Sequence, residues 1–125
     1  MKTRLYSIYK KLYRCFGPQR WWPAETPFEV MVGAVLTQNT NWGNVEKAIA
    51  NLKENKLLEL RRLHKLPRRR LAALIRSAGY YNIKALRLKN LLEFLVGSCG
   101  GDFKKISARN IQDSRRQLLS VNGIG

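Results

Sequence analysis

Acidic residues are scarce in this sequence: 8 Asp and Glu stand against 24 Lys and Arg, a formal net charge of +16 over 125 residues. Such an imbalance self-repels in a compact fold unless a polyanion offsets it, which makes nucleic acid the leading partner. Ribosomal and membrane-surface proteins are basic too, and charge alone carries no sequence specificity. Cysteine is nearly absent. Cys15 and Cys99 lie far apart and in no CxxC or Cys/His cluster, so neither a zinc site nor a disulfide framework is legible, and a reduced, intracellular protein fits best. His64 is the single histidine and has no acid or metal partner evident in sequence, so it is expected to serve at the surface or as a cap rather than in catalysis. No apolar run reaches signal-peptide or membrane-span length, and Lys and Arg interrupt the stretch from Met1 to Leu12, so neither export nor a membrane partner is expected. Strand-type alternation, internal repeats and low-complexity tracts are lacking as well.

What is present is helical periodicity, and the expected fold class is all-α, a multi-helix orthogonal bundle. Leu5, Ile8, Tyr9, Leu12, Tyr13 and Phe16 form one stripe of a first helix that Gly17 and Pro18 end. Thr26-Pro27-Phe28-Glu29 reads as a capped helix start with a capping box, and Phe28 to Leu36 is apolar nearly all round, which predicts a central helix enclosed by others. A polar break, Thr37 to Asn41, precedes a third helix carrying Val45, Ala48, Ile49 and Leu52 on one face. Leu57 to Leu63 reads as a fourth helix, and Pro67 opens a fifth, with Gly79 suited to its left-handed cap. Tyr80 then falls on an inter-helix loop. Tyr81, Ala85, Leu88, Leu92 and Leu95 mark a long sixth helix that should stop before Gly97. Ser114 to Gln117 has capping-box spacing for a last short helix.

That helix runs into Val121-Asn122-Gly123-Ile124-Gly125, which resembles the first half of a helix-hairpin-helix motif. Glycines suit such a turn because bare backbone N–H groups can converge on one phosphate, although a plain glycine turn reads the same way. Phe28 to Thr40 looks like the buried helix and polar loop of the endonuclease III superfamily, and Gly79-Tyr80-Tyr81-Asn82-Ile83-Lys84-Ala85 resembles the turn that leads that family's long helix. The three matches come in the right order and cover nearly everything from Trp21 onward. Within the superfamily, Trp21-Trp22-Pro23 and Thr37-Gln38-Asn39-Thr40-Asn41-Trp42 look most like the 3-methyladenine DNA glycosylases of the endonuclease III-like type.

The resemblance implies DNA base-excision repair of duplex DNA bearing a damaged base, in the cytoplasm or at a prokaryotic nucleoid. Trp21 and Trp42 would sandwich an extruded alkylated purine, a cation suited to indole faces, with Trp22 beside them; core packing is the alternative for each. Asn39, or Gln38 in a neighbouring register, would plug the vacated duplex with Thr40 in the same loop, unless these groups only cap helices. Tyr80 aligns with the family's wedge residue, and Val121, Gly123 and Gly125 with its phosphate-binding hairpin. The basic runs Arg61-Arg62, Arg68-Arg69-Arg70, Lys104-Lys105 and Arg115-Arg116 either track phosphates or are solvated faces.

In the family, the catalytic Asp follows the second hairpin helix, the lyase-type Lys of bifunctional members lies in that helix, and the four-Cys ligands of those members with an iron–sulfur cluster also fall beyond Gly125. The expectation is therefore a fragment without a catalytic residue of its own, with Glu93, Asp102 and Asp113 as surface or helix-end carboxylates. It is expected to be inactive alone, to hold no metal or cofactor, and to depend on a missing C-terminal region. Residues 1–20 would then be the first helix of an incomplete second subdomain, its apolar stripe short of cover, and 21–125 a helical DNA-binding domain. Two other readings stay open: an oxidised-pyrimidine glycosylase with lyase activity of the endonuclease III type, and a non-catalytic basic helical module.

Overall fold

The computed structural model describes residues 2–107 and 109–124, and the described residues form eight α-helices and one 3-10 turn. They are α1 (Lys2–Phe16), α2 (Pro27–Leu36), α3 (Trp42–Glu54), α4 (Leu60–Lys65), α5 (Arg68–Leu74), the 3-10 turn Arg76–Ala78, α6 (Tyr81–Cys99), α7 (Lys104–Ser107) and α8 (Ile111–Ser120). The chain is all-α, as its periodicity predicts.

The centre of the bundle is α6 rather than α2. Lys84, Ala85, Leu88, Leu91, Leu92, Leu95 and Cys99 are buried along it, a stripe of helical period, and α2, α4, α5 and the 3-10 turn all pack on it. On α2, Val32, Val35 and Leu36 face the core while Val30 stays exposed, so this helix is not enclosed all round. Apolar character alone cannot tell which helix has neighbours on every side. The long α6 gains that position because five turns offer room for several partners.

Local signals account for most boundaries. Thr26 caps α2 by accepting from the Glu29 amide at 3.1 Å. The Glu29 carboxylate accepts from the amide of Glu25, one residue before the position a capping box would use, at 3.0 Å, and also meets Lys53 at 3.0 Å. The start of α2 is thereby tied to the last turn of α3. Leu57 and Leu58 lie outside α4 because the Glu59 side chain caps that helix from its own position, accepting from the amides of Arg61 and Arg62. Gly97 does not stop α6, which continues until the left-handed Gly100. Asn110, not Ser114, caps α8, and the Ser114 hydroxyl donates instead to the Ile106 carbonyl.

No side chain of α1 is buried, and its stripe of Leu5, Ile8, Leu12 and Phe16 stays exposed. Cys15 is exposed on this helix and Cys99 is buried in α6. No described helix is long and apolar enough to cross a membrane.

The hydrogen bond from Lys53 to Glu29, acting against a smaller cost of burial, raises the Lys53 ammonium above its ordinary value of 10.5. A base whose folded value is raised contributes stability in full below the unfolded value and loses it as pH climbs through the folded one. With the Glu29 carboxylate ionised, the difference in chemical-denaturation stability between wild type and Lys53→Met is therefore expected to be constant from neutral pH up to about pH 10 and to shrink above it. A difference that grows with alkali would contradict the pairing.

Candidate nucleic-acid interface

Three turns converge on the N-terminal half of α6. The first is Thr37 to Asn41, between α2 and α3; the second is Gly79-Tyr80, between the 3-10 turn and α6; the third is Val121 to Ile124, after α8. Their backbones are unusual. Gly79 has φ 71 and ψ 160, a region essentially restricted to glycine, and Tyr80 follows in the left-handed region at φ 45, ψ 39. An aromatic residue held there costs on the order of 1–2 kcal/mol, which the surrounding fold has to offset. Tyr80 remains 67% exposed despite its place at the head of a core helix.

In the first turn most polar side chains are committed to the fold. The Thr37 hydroxyl donates to the Gly33 carbonyl, Thr40 accepts from Asn44 at 3.1 Å, and Asn41 caps α3 at 3.0 Å. Gln38 donates from Nε2 to the Gly123 carbonyl at 3.1 Å and accepts at Oε1 from Arg87 at 2.6 Å. Asn39 is exposed, sits at φ 54, and has no hydrogen-bond partner among the described residues. The two candidate registers thus differ physically: Gln38 is a strut to the third turn, whereas Asn39 stands free at the tip. Capping, the competing explanation for the loop's amides, describes Asn41.

The third turn rests on α6. Val121 is buried, Asn90 donates to the Asn122 carbonyl at 3.1 Å, and Gly123 adopts φ 100. A Cβ on Gly123 would lie 2.3 Å from Cγ and 2.8 Å from Cβ of Arg87. The glycine is required twice, by its φ and by the closeness of α6. Gly125 lies outside the described residues.

Sequence reasoning missed the residue beneath the first two turns. Lys84 is 1% exposed, and its Nζ donates to the Leu36 carbonyl at 2.8 Å and to the Ala78 carbonyl at 2.6 Å. Burial, with a smaller contribution from Arg87, lowers its pKa below the ordinary lysine value. The signal was a charged residue on the apolar stripe of α6, one turn before Leu88. Arg87, one turn along from Lys84, then reaches Gln38 and lies against Gly123.

The tryptophans cluster over the middle of α2. Trp22 meets Trp21 edge-on at 5.3 Å and Trp42 edge-on at 5.6 Å, while Trp21 is 76% exposed. The Trp22 indole nitrogen is buried without a hydrogen-bond partner among the described residues. Trp42 donates from Nε1 to Glu46 at 2.9 Å, which orients its ring. With Pro23, Glu29 and Glu46 it lines an open cavity of about 220 Å³. Trp42 therefore borders open space, whereas Trp22 is packed between two other rings.

The remaining candidates are surface features. His64 does have an acidic partner, Glu93, at 2.7 Å, brought to it across the α4–α6 contact, which sequence distance concealed. Asp102 accepts from the Lys104 amide and Asp113 pairs with Arg116. Arg61 donates to the Gly100 carbonyl and Arg62 to the Lys56 carbonyl, so part of the basic complement braces loops. Arg68, Arg69 and Arg70 are exposed. Among the described residues no group of His, Cys, Asp and Glu could hold a metal ion.

Residues 32–122 match the family described as HhH-GPD superfamily base excision DNA repair protein. A Methanocaldococcus jannaschii protein whose name describes it as a DNA repair glycosylase is 49% identical over 124 residues, covering 97% of this chain and 56% of its own length. Endonuclease III of Thermotoga maritima is 34% identical over 103 residues, covering 79% of this chain and 42% of its own. The crystal structure of an H. pylori 3-methyladenine DNA glycosylase bound to 1,N6-ethenoadenine superposes with a TM-score of 0.75 at 32% identity, covering 98% of this chain and 58% of that one. The chain thus spans about half the length of the curated relatives it matches.

Replacing Gly123 by Ala is expected to force Arg87 and the turn apart and to cost about 1–3 kcal/mol. Urea unfolding of the purified variant reads this directly, and a midpoint equal to wild type would show that the turn yields without cost.

Proposed function

Because the chain belongs to the HhH-GPD superfamily of base excision DNA repair proteins, we propose that it forms the damage-recognising surface of a DNA N-glycosylase for alkylated purines. The observation that carries this reading is the convergence on α6 of an exposed amide at Asn39, an exposed aromatic at Tyr80 and a glycine turn at Gly123.

Each of the three suits one part of the task. An extruded base leaves a gap and an orphaned partner base; the Asn39 amide can both donate to and accept from that base without the desolvation cost of a charge. An aromatic wedge such as Tyr80 stacks on the bases it separates, offsetting part of the lost stacking. The amides of the Gly123 turn hold a phosphate, while the net charge of +16 supplies affinity for duplex DNA of any sequence. The open face of Trp42 suits an electron-poor purine, for which indole stacking is worth roughly 1–3 kcal/mol. The glycosylase and 3-methyladenine descriptions of the relatives support the same class.

Fluorescence anisotropy with matched duplexes tests the reading. Wild type is expected to bind a duplex containing an abasic-site analogue more tightly than the undamaged duplex, and Tyr80→Ala to lose roughly tenfold of that preference. Trp42→Ala should lose preference only on a duplex carrying a stable alkylpurine analogue. Equal affinity of wild type for all duplexes would leave a basic helical scaffold and remove the recognition surface.

A further inference from the structure

We infer that Lys84 is a positioning residue whose ammonium fixes the separation of the Asn39 turn from the Tyr80 turn and so sets how well the protein tells damaged from intact duplex. The inference rests on the proposed recognition surface, and it assigns a role to a buried side chain that touches no DNA.

Leu36 is the last residue of α2 and Ala78 the last of the 3-10 turn, so each carbonyl lies just before a turn with an exposed probe, Asn39 on one side and Tyr80 on the other. The Leu36 carbonyl sits at the negative end of α2, where a cation is favoured. Among the described residues no carboxylate pairs with Lys84, so its hydrogen bonding joins chain segments instead of balancing a local charge. Lys89, on the same helix, offers a contrast. It donates to Leu63 at 3.1 Å and His64 at 2.7 Å, two neighbouring carbonyls of α4, and thus caps a single element. Lys84 spans two elements, and both end in strained turns: Asn39 and Tyr80 each hold positive φ. Burying an ammonium among carbonyls is costly compared with a leucine of similar size, and in return two directional bonds set a distance that apolar packing leaves loose.

The test compares Lys84→Met with wild type by the ratio of affinities for abasic-analogue and undamaged duplex. Methionine keeps the stem and removes the donors. The ratio is expected to fall about tenfold, with affinity for undamaged duplex nearly unchanged, because the exposed basic residues remain. Leu88→Ala serves as the stability control: it weakens the same helix without touching either carbonyl, and its ratio should match wild type. A Lys84→Met protein that folds and keeps the wild-type ratio overturns the inference, as does a Leu88→Ala protein whose ratio falls equally. Should Lys84→Met fail to fold, Lys84→Arg keeps donors on a longer arm and is expected to lower the ratio by spreading the two turns; an unchanged ratio there overturns the inference equally. Wild type without any lesion preference would sink the proposed recognition surface instead, so the two failures are distinguishable.

Discussion

A single buried ammonium holds together segments that the chain separates widely. Lys84 accepts the cost of desolvation to bond the ends of α2 and of the 3-10 turn, and one helical turn later Arg87 reaches Gln38, which in turn reaches Gly123. The exposed side chains depend on this internal scaffold. Asn39 and Tyr80 occupy left-handed conformations that a free loop would leave, and they persist because the turns bearing them are fastened at the base. Backbone strain at the tips and hydrogen bonding beneath them are two sides of one arrangement.

The same helix reconciles two demands that normally conflict. A protein with +16 charge must keep its cations apart, yet this one draws Lys84, Arg87 and Lys89 into or beside the core. Lys84 and Lys89 donate to carbonyls at the C-terminal ends of neighbouring helices, where partial negative charge collects. The other basic residues are left largely at the surface, and only some of them are engaged in bracing loops, as Arg61 and Arg62 are. Such an arrangement leaves ample charge for a polyanion.

The helices themselves were largely legible in the sequence, because period and capping are local properties. Thr26 before Pro27, the stripe of α3 and the stripe of α6 all lie where the pattern puts them. Boundaries were missed where a side chain out of pattern took over: Glu59 caps α4 after two leucines that look helical, Asn110 caps α8 ahead of a serine with better spacing, and α6 absorbs Gly97 because Cys99, half a turn on, still buries. The turn sequences around Asn39, Tyr80 and Gly123 were readable by resemblance. The struts beneath them were not, since backbone carbonyls accept from any donor and leave no residue-type signature. The physical difference between Gln38 and Asn39 likewise needed the structure: Gln38 is bonded on both sides, and Asn39 has no hydrogen-bond partner among the described residues. The His64–Glu93 contact was hidden for a related reason, as it depends on how α4 packs against α6.

If the three turns along the N-terminal half of α6 form the proposed recognition surface, they act on DNA together. Hydrogen–deuterium exchange of backbone amides, with and without a duplex containing an abasic-site analogue, tests it most directly. Added protection is expected at residues 37–41, 79–82 and 121–124 in the lesion complex, with little of it in the complex with intact duplex. Protection confined to the basic stretches around Arg68–Arg70 and Arg115-Arg116, and identical for both duplexes, would contradict it.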